Sequence, residues 1–506
     1  MTDRPAPTAE HPPPGDDLPE QMRVRREKRA RMLAEGRQPY PVSVPRSHTL
    51  RQIRETYDGA GLEPDTRTGD HVAVTGRVIF IRNTGRLAFW RLREGDGTEL
   101  QVMLSEADVG AQSLADAKAL VDIGDHVAVE GEVVTSRRGE LSVRATGWRM
   151  AAKTLRPLPV EHKPLTEEMR VRLRYADLIV RPQAREMVRL RADVLASLRE
   201  TLAEQGYLEV ETPVLQYVHG GAAARPFRTH SNAFDDDMTL RIALELPLKK
   251  AVVGGVERVY EIGRIFRNEG VDSTHSPEFT MLEAYQAYGD CDTIADLTRD
   301  LVVNAARRAR RTVVPDGQGG KIDLEEPWRQ VSIHAAVSAA VGADVTPRTE
   351  ADELRRYAAA HAVGLQPSWT ADQIVVELFE QLVEDTLLRP TFVVDFPASI
   401  RPLARPHRSL AGLAEAWDLV VAGVELATGY SELSDPVLQR ERLLEQSARA
   451  AGGDPEAMQL DEDFLRALEY GFPPTGGMGM GVDRLLRVLT GKGVRETILF
   501  PLLRRE

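Results

Sequence analysis

The chain of 506 residues has a single cysteine, Cys291, which excludes an internal disulfide framework and a Cys-rich zinc set. That scarcity fits a reducing compartment. No run of 18 or more apolar residues occurs, so no transmembrane helix is expected, and the opening MTDRPAPTAEHPPPGDD lacks the apolar centre of a secretory signal. The expectation is a soluble, cytoplasmic protein with no membrane partner. Positive charge is also in deficit: 65 Lys and Arg against 77 Asp and Glu leave a formal charge of −12. Such a chain does not coat nucleic acid non-specifically, although a local basic face can still meet a phosphate backbone.

What is present is length for about three domains, at roughly 100 to 200 residues each. Residues 1–17 are Pro-rich and polar, the composition of a disordered tail. Residues 18–49 hold a basic helix and a linker: Arg23, Arg25, Arg26, Lys28, Arg29 and Arg31 face only Glu27, and Gly36 ends the run. That helix is either a solvated face or a contact for a phosphate backbone. Over 50–155, the alternating runs HVAVTGRVIFIR, LAFWRLRE, TELQVMLS, HVAVEGEVV and ELSVRATG are separated by the turn signals NTG, GDG and RRG. Five such strands predict a small closed barrel, of a type that binds oligonucleotides on one face. Arg82, Phe89 and Gln101 are assigned to that face, because a base needs a ring to stack on and a polar group for its edge. Spacing alone leaves ordinary barrel surface equally open for each.

The pattern changes near residue 165. In MVRLRADVLASLRETLAEQG, Met187, Leu190, Val194, Leu198 and Leu202 share one helical face, and Gly206 closes the helix. YLEVETPVL, VERVYEIGRIF, FTMLEAYQAY, WDLVVAGVEL and GGMGMGVD read as strands with long helices between them. Residues 165–506 are therefore expected to form an α+β domain on an antiparallel sheet.

Three stretches of that domain concentrate chemistry. FRNEGVDSTHSPEFTMLE, residues 266–283, strings Arg267, Glu269, His275, Glu278, Phe279 and Glu283 around Gly270 and Pro277, a charged loop built to face something polar. In WDLVVAGVELATGYSEL, residues 417–433, Asp418, Glu425 and Glu432 recur every seven positions. Acids inside a sheet need a metal, an ammonium or an arginine, and a fold-stabilising ion pair answers the need as well as a ligand does. In GGMGMGVDRLLRVL, residues 476–489, alternating glycines let a ligand lie against a strand, and Arg484 in the first turn of the next helix can reach an anion. Close helix-on-sheet packing is the other reading of those glycines. With nucleotide phosphates near Arg267 and Arg484, magnesium bridging them to Asp418 and Glu425 is the economical partner.

FRNEG with HSPEFTMLE, GYLEVETPVL and GMGMGVDR resemble motifs 2, 1 and 3 of class II aminoacyl-tRNA synthetases. With GGAAARPF, GYSEL and the amino-terminal barrel added, the chain resembles the bacterial lysyl-tRNA synthetase family from about residue 18 onward. The resemblance implies an OB-fold anticodon-binding barrel followed by a class II catalytic domain flanked by helices. It implies ATP-dependent activation of L-lysine to lysyl-adenylate, release of pyrophosphate, and transfer to the 3′ end of tRNA(Lys). Arg267 and Arg484 would hold the α- and γ-phosphates of ATP, Phe279 would stack on adenine, Glu269 and His275 would contact the nucleotide, and Asp418 and Glu425 would hold Mg2+. Glu283 and Glu432 would take the ε-ammonium of lysine, with Tyr285 and Tyr430 walling its stem. Gly221 and Glu245 would seat the α-amino end, beside Thr428. Arg82, Phe89 and Gln101 would meet the anticodon. A homodimer is implied, with the helix after residue 185 and the segment from Glu209 to Pro213 at its interface.

Two other readings belong beside this one: a non-catalytic tRNA-binding protein, and a ligase lysylating a protein. The intact Arg267, Glu283, Glu425 and Arg484 speak against the first, and the barrel against the second. The chain also departs from the family, reading ALELPLKK at 243–250 where relatives carry APEL followed by an aromatic and LK. Pro247 pushes Leu246 towards extended geometry, so a later helix start is expected. With Thr428 in place of an asparagine, the pattern suggests a specialised copy with weaker lysine affinity.

Overall fold

The computed structural model describes residues 18–159, 165–270, 275–452 and 456–504, so the expected tail lies outside the described residues. The chain divides into two compact units, residues 1–185 and 186–506.

In the first unit, β1 (Arg67–Thr84), β2 (Leu87–Arg93), β3 (Glu99–Ser105), β4 (His126–Thr135) and β5 (Leu141–Ala152) close a barrel in the order β1-β2-β3-β5-β4. Only β3 and β5 run parallel. Alternation along the strands sends Val72, Val74, Val78, Trp90, Leu92, Leu100, Val102 and Leu104 into one sealed core. The helix Leu50–Tyr57 adds Leu50 and Ile53 to it, its start fixed by a capping box of Thr49 and Gln52. The basic helix, Glu20–Ala34, is solvated on part of its circumference only. Arg25 is buried and donates to the carbonyls of Ile123 (2.8 Å) and Thr154 (3.3 Å), and Lys28 pairs with Asp122 at 2.6 Å. Arg23, Arg26 and Arg31 stay exposed.

The second unit is α+β. It carries β6 (Leu208–Glu209), β7 (Leu215–Gln216), β8 (Arg228–Ser231), β9 (Asp236–Leu240), β10 (Arg258–Phe266), β11 (Glu278–Ala287), β12 (Val313–Pro315), β13 (Lys321–Asp323), β14 (Arg329–Ser332), β15 (Thr391–Val394), β16 (Ala416–Val421), β17 (Val424–Ser431) and β18 (Thr475–Gly481). Eight of them form one sheet in the order β14-β15-β16-β17-β18-β11-β10-β6. The sheet is antiparallel at its centre and parallel at both edges, where β14 meets β15 and β10 meets β6. One face presents Leu282, Ala284, Met478 and Met480 to the helices Pro182–Glu204, Cys291–Arg308 and Val482–Thr490. Leu190, Val194, Leu198 and Leu202 complete this core, as the spacing predicts. Helices Ile333–Val341, Ala351–Ala360 and Ala371–Leu382, between β14 and β15 in the chain, build a core of their own.

Two expected strands differ in the structure. YLEVETPVL is not one strand: Leu208 and Glu209 pair with β10, and the chain then leaves the sheet for β7. Buried Glu261 diverts it by accepting from Thr212 N (2.9 Å) and Thr212 Oγ1 (2.7 Å) while paired with Arg241 at 2.6 Å. WDLVVAGVEL is a hairpin. Ala422 (φ 53°) and Gly423 (φ 67°) make a two-residue turn of the hand that matches strand twist. Asp418, Glu425 and Glu432 consequently sit on β16, on β17 and just beyond β17.

Candidate active site

The face of the sheet opposite the helices forms the floor of a cavity of about 400 Å³. Register builds that floor in rows: Tyr285 and Tyr430 flank Gly477, and Glu283 and Thr428 flank Gly479. A Cβ at Gly477 would overlap Glu432 Oε1 and the Tyr285 ring, so the glycine there is required by close approach. Gly221 (φ 85°) enters from a loop and lies against Ala243 and Glu245. Of the residues assigned to ATP and lysine, the cavity wall brings together Gly221, Glu245, Arg267, Glu269, His275, Phe279, Glu283, Tyr285, Glu425, Thr428, Tyr430, Glu432 and Arg484.

One end is acidic and buried. Glu245, Glu283 and Glu432 are each at most 5 % exposed. Between Glu245 and Glu432 lies Lys249, 1 % exposed, with Nζ 2.5 Å from Glu245 Oε1 and 2.5 Å from Glu432 Oε2. Glu283 is held by protein donors on both oxygens: Leu244 N donates to Oε1 (2.8 Å) and Tyr285 OH to Oε2 (3.0 Å). Neither Glu432 oxygen accepts a hydrogen bond among the described residues, and Oε2 has only its ion pair with Lys249. Burial, with Glu245 beside it, pushes the Glu283 carboxyl up to about 7. Burial also raises Glu432 and Glu245, against the opposing pull of Lys249. Burial by itself would lower the Lys249 ammonium, but Glu245 and Glu432 together hold it above the ordinary lysine value.

The other end is cationic and aromatic. The Arg267 guanidinium lies 5.3 Å from the Phe279 ring centre, its Nε donating to Ile242 O at 3.3 Å. Burial lowers its pKa, with Glu269 and Glu283 opposing. Arg484, in the first turn of Val482–Thr490, reaches Glu425 O (2.7 Å) and Glu425 Oε1 (3.1 Å). Its neighbour Asp483 is buried, accepts from Thr280 N at 2.8 Å and pairs with Arg191 at 2.5 Å. Asp483 thus ties the helix that carries Arg484 to β11 and to the helix Pro182–Glu204.

Each of the three regularly spaced acids receives a cation from the protein: Arg401 for Asp418, Arg484 for Glu425 and Lys249 for Glu432. Asp418 lies outside the cavity wall, behind Arg401. Its Oδ1 has no hydrogen-bond partner among the described residues. No cluster of three or more His, Cys, Asp or Glu suited to a metal occurs among the described residues. Two carboxylates sharing an ion with substrate phosphates suit magnesium. Glu380 and Glu384 lie close to Glu425, and burial together with neighbouring acids pushes each up to about 7.

In the barrel, Arg82 and Phe89 oppose one another across β1 and β2, with the guanidinium 4.6 Å from the ring centre. Gln101 stands on the same outward face, its amide donating to Ser142 Oγ at 2.9 Å.

The expected later helix start is not found. The helix runs Glu245–Val253, and Pro247 fits its first turn because N–H groups there have no intrahelical acceptor. Lys249, Arg401 and Asp483 escaped the sequence reading. Asp483 stands inside the glycine-rich motif, and its place before Arg484 was a usable signal, whereas Lys249 and Arg401 gain meaning only from partners distant in sequence.

Comparison with known proteins agrees with this architecture. Residues 166–504 match the family described as tRNA synthetases class II (D, K and N), and residues 72–151 match the OB-fold nucleic acid binding domain. A lysine–tRNA ligase of Kineococcus radiotolerans is 58 % identical over 491 residues, covering 97 % of this chain and 98 % of that one. One of Mycolicibacterium gilvum is 57 % identical over 493 residues with the same coverages. A lysylphosphatidylglycerol biosynthesis bifunctional protein of Mycobacterium avium is 51 % identical over 491 residues, 96 % of this chain but 41 % of that protein. No helix among the described residues is long and apolar enough to cross a membrane. A family match over most of the chain, and identities above one half over nearly its whole length, show that the chain belongs to the lysine–tRNA ligases of the class II aminoacyl-tRNA synthetases.

Proposed function

We propose that this ATP-dependent ligase activates L-lysine in the cavity described and passes it to tRNA(Lys), with the roles divided between the two ends. The observation that carries the division is their opposite character: buried acids around one internal lysine at one end, and two arginines with an aromatic ring at the other. Arg267 holds the α-phosphate and Arg484 the terminal phosphate, since planar forks suit phosphate oxygens. Phe279 stacks on the base, and Glu269 and His275 contact the nucleotide.

Glu432 accepts the ε-ammonium through Oε1, which is buried and has no partner among the described residues, and Glu283, held by Leu244 and Tyr285, adds negative field. Glu245 and Gly221 seat the α-amino end, while Tyr285 and Tyr430 wall the stem. Thr428, beside them, hydrogen-bonds at long range to Tyr430 OH (3.3 Å) and to Trp417 O (3.4 Å). So placed, the lysine carboxylate attacks the α-phosphorus in line and pyrophosphate leaves, by positioning and charge neutralisation. Asp418 and Glu425 would hold Mg2+, which when bound neutralises phosphate charge. The test is ATP–pyrophosphate exchange with each of the twenty amino acids, then charging of total tRNA. Exchange driven by lysine alone, followed by charging of tRNA(Lys) alone, is expected.

The barrel face of Arg82, Phe89 and Gln101 is assigned to the anticodon. A second copy of the chain is assigned to the surface where Val188, Leu208, Val214 and Leu215 are exposed, 37 to 60 % each, along the helix and segment of the first motif. Sedimentation at micromolar concentration should return a dimer.

A further inference from the structure

On β1, Val72, Val74 and Val78 point into the barrel, and unbroken alternation would send Phe80 inward after them. The register slips between Val78 and Phe80. Val78 faces Leu92 and Phe80 faces Arg91, so two residues of β1 advance against one of β2, with Ile79 the extra residue of a bulge. Beyond the bulge Ile81 opposes Trp90 on the inside, and Phe80 stands outside, 51 % exposed.

The outward residues then form two rows across four strands. One reads Phe80, Arg91, Gln101, Ser142, and the next reads Arg82, Phe89, Met103, Arg144. Each row sets a phenylalanine against an arginine, in opposite order, which makes Phe80 the diagonal neighbour of Phe89, about 7 to 8 Å away by strand geometry. A lone exposed phenylalanine is ordinary surface. This one is turned outward by a bulge, flanked by two arginines, and adjacent to the ring already assigned to a base.

We propose that Phe80 is a second stacking platform for an unpaired RNA base, so that the barrel seats two bases of a single-stranded loop on Phe80 and Phe89. Arg82 and Arg91 supply positive charge beside the two rings, for the backbone that joins the bases. Sheet surfaces that bind single-stranded RNA use adjacent aromatics in this manner, and stacking tolerates any base because each has a π-face. The inference rests on the reading that this face meets the anticodon loop.

The experiment compares the full-length chain with Phe80→Ala, Phe80→Trp and Phe89→Ala, measuring charging of a tRNA(Lys) transcript and, in the same preparations, lysine-dependent exchange. Phe80→Ala should raise the KM for tRNA roughly 5- to 150-fold, the equivalent of about 1 to 3 kcal/mol per stacked base. Exchange should not change, and Phe80→Trp should restore charging. Wild-type charging by Phe80→Ala alongside impaired Phe89→Ala overturns the second platform and leaves the anticodon reading standing. Wild-type charging by both overturns the anticodon reading as well. Parallel loss of exchange and charging in Phe80→Ala makes Phe80 a folding residue and ends the proposal.

Discussion

Lys249 sets its ammonium nitrogen 2.5 Å from Glu432 Oε2, and the same nitrogen lies 2.5 Å from Glu245 Oε1. Two buried carboxylates therefore share one internal cation, and Glu283, buried beside them, is held by neutral donors alone, which leaves a negative excess for a substrate with two ammonium groups to neutralise. Removing one partner of a buried pair costs about 3 to 5 kcal/mol, so Lys249→Met should lower thermal stability and raise the KM for lysine in exchange. The KM for ATP should hold. If both constants rise together, Lys249 supports the fold without tuning the acidic end.

The two glutamates assigned to the ε-ammonium should respond unequally. Glu432→Gln removes charge from the carboxylate whose oxygens accept no hydrogen bond among the described residues, and a lost charge-assisted bond of about 1.5 to 3 kcal/mol corresponds to roughly 10- to 150-fold in lysine KM. Glu283→Gln should do less, because Leu244 N and Tyr285 OH already use its oxygens. Steady-state exchange measures both, and a larger effect at Glu283 would reverse the assignment.

Lysine affinity should rise with pH. Glu283 is pushed up to about 7 and Glu432 is raised by burial, so below neutrality the free enzyme holds protons that an incoming ammonium must displace. The KM for lysine is expected to fall between about pH 6 and 8. Stability runs the other way. A carboxyl raised in the fold contributes stability that is complete below its unfolded value and lost as pH rises through the folded one. Exchange kinetics and unfolding followed over that range check both slopes, and a lysine KM that rises with pH would contradict the reading.

Asp483 positions Arg484 through Thr280 and Arg191. Asp483→Asn keeps the shape but leaves Arg191 without its carboxylate, so the melting temperature should fall and the KM for ATP rise. An unchanged ATP constant would show that Arg484 is held by Glu425 alone.

The sequence alone was enough for most of what repeats over a few residues, although YLEVETPVL and WDLVVAGVEL are not the single strands their alternation predicts. Alternation marked the barrel strands, and the spacing of Leu190, Val194, Leu198 and Leu202 marked the helix behind the sheet, because each side chain's direction follows from the period of its own element. Motif residues such as Arg267, Glu283 and Arg484 could be assigned together from a resemblance carried by short contiguous strings. Tertiary structure decided whatever depends on register and strand order. The turn at Ala422 and Gly423 folds one apparent strand into two and sets Asp418 and Glu425 on neighbouring strands, and the bulge at Ile79 turns Phe80 outward. It also decided which cation meets which acid. Lys249 finds Glu432, and Arg191 finds Asp483, only when segments far apart in the chain are packed together, a helix against the end of a strand in the first case and two helices in the second. Pairing energy of this kind depends on distance and burial in space, and neither is written in the order of residues.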